Sequence, residues 1–293
     1  AWRFRLGPDG VDIEPDFSRR TPVVDPDDHH LWASLGCAVE NLLIAASASG
    51  QPLELIAIDG WLQTRFGDPA HPHTSLAAAI PRRQSPRSEF DGRSVSVATL
   101  NALADAVRFP GVDVVLLTEK REIAQLTDLV VAGNHHQVHD PAYLRELRQW
   151  LRFSPADALR TGDGLFSAVT GNPVMPGWIG TKMFDLFFDP QAEDDKMARQ
   201  MASSSGIAIF VGERADPQHW VLAGQACQRF ALQATALGMR CSFVNQPVEV
   251  PQLREGVARI AGQFGKRPDL AMRFGYGPAM PYSTRRPVAD VIA

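Results

Sequence analysis

Two stretches of this chain echo one another. Gly36-Cys-Ala-Val-Glu-Asn-Leu-Leu-Ile-Ala-Ala-Ser-Ala-Ser-Gly50 aligns without a gap on Gly224-Gln-Ala-Cys-Gln-Arg-Phe-Ala-Leu-Gln-Ala-Thr-Ala-Leu-Gly238, sharing both terminal glycines and three alanines. Each reads as a helix rich in small residues and stopped by glycine. Small side chains let a second backbone come close, so the two helices can pack centrally as a pseudo-symmetric pair inside one polypeptide. Ala-rich helices ending in Gly also resemble one another by composition; identities at one constant offset favour duplication.

The elements around these helices mix strands and helices. Trp2–Leu6 and Val11–Glu14 alternate bulky and polar residues about Gly7-Pro8-Asp9-Gly10, as a hairpin does. Leu53–Ile58 is a strand, and Gly67–Pro81, with its Pro and His residues, reads as a linker that divides the chain into parts 1–80 and 81–293. Beyond it, Ser96 caps a helix carrying Val97, Leu100, Leu103 and Val107, and Val112–Thr118 is a buried strand. Asp140-Pro141 opens a helix with Leu144, Leu147 and Leu151 on one face. Phe153–Gly180 is dense in Gly and Pro and reads as a long irregular loop, a candidate lid over residues 153–180. Ile207–Val211 is a buried strand, Trp220–Leu237 a buried helix and Asp269–Phe274 a short strand. The fold class is α+β or α/β.

Composition excludes several function classes. A chain of 293 residues holds one large domain or two modest ones. With 29 Lys plus Arg against 33 Asp plus Glu, the net charge of −4 gives no global field for nucleic acid. Apolar runs such as Leu42–Ala46 and Ile207–Val211 fall short of the roughly 20 residues of a membrane span, so no membrane partner is expected. Cys37, Cys227 and Cys241 lack metal-ligand spacing and suit buried, reduced thiols in a cytoplasmic compartment. The chain opens at Ala1 without Met, which leaves its natural start open. His135, His136 and His139, and His71 with His73, come without a metalloenzyme pattern, and no metal is expected. No G-x-G-x-x-G, Walker or G-x-S-x-G motif is present.

The chemistry-bearing signal is basic. Arg82-Arg83-Gln84-Ser85-Pro86-Arg87 crowds guanidinium groups and a hydroxyl between prolines, and Thr284-Arg285-Arg286-Pro287 repeats the theme after Phe274-Gly275-Tyr276-Gly277-Pro278. Arginine forks match phosphate oxygens, so two clusters remote in sequence can converge on one anion. A solvated surface is the alternative for any single arginine pair.

These residues resemble the nitroreductase family. Arg83, Ser85 and Arg87, followed by Phe90, are similar to the Arg-x-Ser-x-Arg motif by which that family holds the phosphate and ribityl chain of FMN. Ala1-Trp2-Arg3-Phe4 resembles the end of its Pro-Ser-x-x-Asn-x-Gln-Pro-Trp-x-Phe segment. Gly238-Met239 stands where the family has a glycine near the flavin ring, and Arg285 and Arg286 resemble its phosphate-contacting basic residues. The order of segments is similar to the Acg-like subgroup, in which two halves are fused into an internal pseudo-dimer; Asp25-Pro26, Asp140–Trp150 and Thr161–Leu165 carry that likeness. Gly275-Tyr276-Gly277-Pro278 is similar to the family's C-terminal Gly-Tyr-Pro turn; the chain departs from the pattern in the extra Gly277 there, in lacking the Pro-Ser-x-x-Asn stretch before Ala1, and in Ala1 itself.

The resemblance implies an FMN-dependent, two-electron oxidoreductase, passing electrons from NAD(P)H to nitroaromatic or quinone-like acceptors. Arg83, Ser85, Arg87, Arg285 and Arg286 would hold the phosphate end, with Gly238, Met239 and Trp2 near the ring. Trp2, Phe4 and Trp178 could instead be ordinary packing residues. No proton donor is specified, and the cofactor carries the chemistry. The resemblance also implies a rival: a non-catalytic protein that sequesters FMN beneath the lid. Either is expected as a monomer with an internal pseudo-dimer or as a homodimer.

Overall fold

The structure, a computed structural model, describes residues 2–68 and 73–293. Ala1 of the Trp2 segment and His71 of the His71/His73 pair lie outside the described residues. The chain opens with the expected hairpin, β1 (Trp2–Leu6) and β2 (Val11–Pro15), with Phe4 opposite Ile13. After α1 (His29–Ala48) come β3 (Leu53–Ile58) and β4 (Leu62–Phe66), completing an antiparallel sheet in the order β1-β2-β4-β3. Gly10 is required where β2 meets β4, because a Cβ there would overlap the Thr64 carbonyl oxygen. Ile13 and Leu62 are fully buried from this sheet and pack on Leu35 and Val39 of α1.

The expected linker is partly helical: α2 (Thr74–Ala79) buries Leu76 and Ala79 against Ile44 and Leu232. Proline and histidine mark its approach, but the Leu-Ala-Ala-Ala run is apolar enough to dock. There follow α3 (Val97–Ala106), β5 (Val112–Leu117), α4 (Lys120–Val138) and α5 (Pro141–Trp150). Ser96 Oγ accepts the Thr99 N–H and Asp140 the Ala142 N–H, both as caps. Val97, placed by periodicity on the buried face, is exposed because it occupies the first turn.

The Gly/Pro-rich stretch differs most from expectation. β6 (Leu151–Arg152) leads into it, α6 (Pro155–Thr161) and β7 (Leu165–Phe166) lie within it, and α7 (Gly177–Phe187) begins at its end. Its breakers punctuate these elements: Ser154 caps α6, Pro155 takes its first position, and Gly162 closes it at φ 61°. Then come α8 (Pro190–Ala202), β8 (Gly206–Gly212), α9 (Pro217–Ala236), β9 (Arg240–Phe243), α10 (Gln246–Glu249), α11 (Pro251–Ile260) and β10 (Leu270–Gly275).

The second sheet is antiparallel in the order β5-β8-β10-β9, and every residue of β8 and β10 is buried. Strand alternation sorts β8: Ala208 and Phe210 face Phe230 of α9 and Leu103 of α3, while Ile207, Ile209 and Val211 face Leu126, Met201 and Val257. The sheet is thus covered on both faces.

The echoed helices are the hinge between the two sheets. A Cβ on Gly36 would overlap the Val221 carbonyl oxygen, and one on Gly224 would overlap the carbonyl oxygen of Ala33. Val221 lies three residues before Gly224 as Ala33 lies three before Gly36, so each helix presents the same surface to the other. The polar seam repeats the relation. Arg229 pairs with Glu40, and Gln228 donates to Asn41 at 2.8 Å, the two pairs being reciprocal under the sequence echo. α1 has a mean hydropathy of 1.4 and is long and apolar enough to cross a bilayer, contrary to the reading from short apolar runs. Half of it is buried within the protein, and this seam holds it as a core helix.

Candidate functional site

The arginine loop between α2 and α3 is positioned by one buried cation. Arg273 on β10 is fully buried, and its guanidinium donates to the Gln200 (3.2 Å), Pro86 (3.2 Å) and Ser88 (2.6 Å) carbonyls while lying over the Phe90 ring at 4.0 Å. Burial lowers its pKa to about 10, still charged at neutral pH. Gln200 of α8 donates in turn to the Arg87 carbonyl at 2.8 Å, and Ser203 Oγ accepts the Phe90 N–H at 3.0 Å. Gly275 and Gly277 let the chain after β10 press onto the Phe90 ring, where a Cβ on either would come within 2.9 Å. The C-terminal segment is then buttoned down by Gln84, whose amide exchanges two hydrogen bonds with the Met280 backbone.

This scaffold brings Arg83, Ser85, Arg87 and Arg285 into the wall of one cavity of about 160 Å³, together with Tyr282 and Ser283. Among the described residues none of the three arginines has a carboxylate partner; Arg285 donates only to the Ser283 and Thr284 carbonyls. Loss of surrounding water and repulsion from Arg83 lower the Arg285 pKa. Arg87 keeps exposed surface yet is ringed by protein, and desolvation lowers its pKa too, partly offset by Tyr143, Glu249 and Glu193. Cations without an ion-pair partner converging in a chain of net charge −4 can accommodate an anion.

Arg87 and Leu165 also belong to the wall of a second cavity, of about 440 Å³. Its lining is predominantly apolar and aromatic, with Leu147 of α5, Phe153, Met175 and Phe184 of the 153–188 stretch and Met197 of α8, and Asp189, Glu193 and Lys196 add charged groups to the wall. That stretch forms the roof. Tyr143 projects from α5 into the same space, with burial raising its phenol pKa, so it is a neutral hydrogen-bond donor. A polar, cationic chamber joined at Arg87 to an apolar one suits an amphipathic ligand with an anionic end.

The remaining expected site residues lie elsewhere. Arg286 turns away, donating to the Trp2 carbonyl at 3.1 Å and pairing with Asp16 at 3.9 Å. Trp2 is half-buried against the first-sheet core. Gly238, at φ 77°, ends the turn after α9, and Met239 is fully buried beneath the second sheet; neither lines a cavity described here. Trp178 is exposed on α7. Sequence reasoning missed Gln84 and Arg273, the residues that hold the loop in place. The signal available for Arg273 was a charged residue inside an otherwise apolar strand.

No family model matches the chain. Two curated relatives, from two strains of Mycobacterium tuberculosis and each named "Putative NAD(P)H nitroreductase", are 24% identical over 99% of this chain and 85% of the relative. Among solved structures, a nitroreductase with bound FMN from Desulfitobacterium hafniense is 16% identical, covering 75% of this chain and 97% of that one at a TM-score of 0.47. The FMN-dependent nitroreductase NfnB from Mycobacterium smegmatis, in complex with NADPH, is 12% identical, covering 74% and 96% at 0.49. The chain is an α+β protein similar along nearly its whole length to proteins named as nitroreductases.

Proposed function

We propose that this chain is an FMN-binding oxidoreductase of nitroreductase type. The observation that carries the reading is the convergence of Arg83, Arg87 and Arg285, without carboxylate partners, on a chamber that joins an apolar cavity. The residues fit the group: the three guanidiniums and Ser85 match a phosphate, and charge-assisted contacts of this kind contribute about 1.5–3 kcal/mol each. The apolar chamber under the 153–188 roof takes the rest of the molecule, excluding water from it. Bound FMN would supply two-electron chemistry, accepting from NAD(P)H and passing to nitroaromatic or quinone-like acceptors.

The reciprocal packing of α1 and α9 supports an Acg-like internal pseudo-dimer, with residues 1–80 as a reduced first half and 81–293 as the second. A second reading is FMN sequestration, because Phe153 and Phe184 line the cavity from the 153–188 stretch, which would cover a flavin bound there. Anaerobic addition of NADPH to FMN-loaded protein separates the two. Bleaching of the flavin band within seconds supports the reductase; an oxidised spectrum unchanged over many minutes supports sequestration. Failure to take up FMN at all refutes both.

A further inference from the structure

Asp25, His29 and His30 meet where α1 begins, each offering a ligand atom within 4.8 Å of those of the other two. Asp25 accepts the His30 and Leu31 backbone N–H groups, both at 2.9 Å, which folds its carboxylate back over the first turn. His29 is 1% exposed, and its Nε2 lies 2.9 Å from Asp269 Oδ1. With the Nε2 proton given to that carboxylate, Nδ1 carries a lone pair, and it is buried without a partner. His30 Nε2 is also buried and unpartnered, with Glu249 Oε1 at 3.9 Å.

We propose that this cluster is a binding site for a divalent transition-metal ion of the zinc class, ligated by Asp25, His29 and His30. A ligating histidine typically gives its other N–H to a carboxylate, which fixes the ring and makes the free nitrogen more basic; Asp269 stands in that relation to His29. Burial holds both imidazoles neutral, the form that ligates, with pKa values lowered to about 3 for His29 and about 4 for His30. The surroundings favour a cation. Asp25, Asp27 and Glu249 outnumber Arg254 and Arg267, and Arg267 is engaged by Asp27 at 2.6 Å. A cavity of about 350 Å³ has Asp25 and His30 in its wall; Arg19, Arg20 and Arg286 also line it, each paired with a carboxylate (Asp163, Asp28 and Asp16), and the space gives the ion a route in and room for water ligands. The His29–Asp269 contact ties the start of α1, and with it the proposed site, to the residue before β10.

The test uses the full chain, stripped with EDTA and titrated calorimetrically with Zn²⁺ alone, with metal content measured after gel filtration. The expected result is one ion retained per chain, with affinity at least tenfold lower in His30→Ala. His30 is partly exposed, and metal-free melting checks that this variant folds. Asp269→Asn, which releases the His29 ring, is expected to lower affinity about 10–100-fold. His135 and His139, whose rings lie 4.0 Å apart, are the competing surface site. Zn²⁺ uptake unchanged in His30→Ala, uptake abolished by His135→Ala/His139→Ala, or no uptake by the parent chain overturns the proposal.

Discussion

Replacing Gly224 with alanine tests the reciprocal helix pair. The added Cβ would overlap the Ala33 carbonyl oxygen and lie 2.8 Å from its carbon, against an ordinary contact of 3.4 Å or more. Both partners are backbone, so neither can rotate aside, and α1 and α9 must separate by more than about one ångström to relieve the overlap with the carbonyl oxygen. A gap of about 0.5–1 Å forfeits roughly a quarter to a half of each dispersion contact across the seam. Overpacking of this kind costs about 1–3 kcal/mol, and the upper end applies. Alanine regains about 1 kcal/mol of helix propensity, leaving a net loss of about 2 kcal/mol. Gly36→Ala predicts the same by symmetry, through Val221. The double variant should lose about 2–3 kcal/mol, less than the sum, because the first substitution opens the seam for the second. Urea unfolding followed by circular dichroism reads all three. A Gly224→Ala protein as stable as the parent, or strictly additive losses, refutes the reciprocal approach.

Arg285 and Arg286 are neighbours with different roles: Arg285→Ala should weaken FMN binding by about 1.5–3 kcal/mol, whereas Arg286→Ala should change it by less than about 0.5 kcal/mol. Fluorescence titration with FMN separates them. Stability should also respond to pH through His30. Its folded pKa of about 4 lies below the ordinary 6.5, so its contribution is present above pH 6.5 and lost as pH falls toward 4. The slope reaches about 1.4 kcal/mol per pH unit per proton. In EDTA, His30→Gln should flatten the fall in urea midpoint between pH 6.5 and 4. Asp269, held up to about 7, titrates in the opposite sense and is common to both proteins. Equal slopes would contradict the assignment.

Local signals were legible where one residue decides a local structure. Ser96 and Asp140 cap the helices expected of them, and Gly36 and Gly224, the first glycines of the two echoed stretches, proved to be points of backbone contact. That Arg83 and Arg87 would share one cavity wall was legible because they lie in five consecutive residues. The union of this loop with Arg285 depends on Gln84 holding Met280, a contact between residues remote in sequence. The Phe153–Gly180 stretch misled for a related reason: glycine and proline mark helix ends as readily as loops, and only the short segments between them distinguish the two. Arg286 and Met239 follow residues with different fates. One backbone step reverses a side chain in an extended segment, and the turn at Gly238 sends Met239 into the core. The His29–Asp269 pair joins α1 to the segment before β10, and nothing local announces it.

The central claim is that unpaired guanidiniums in one chamber hold the phosphate of FMN. A titration of the metal-free chain with FMN, followed by quenching of flavin fluorescence, tests it most directly when run beside Arg83→Ala/Arg87→Ala. The account predicts one saturable site in the parent chain and a loss of about 3–6 kcal/mol in the double variant, from two charged contacts. Equal affinity in the two proteins would contradict it.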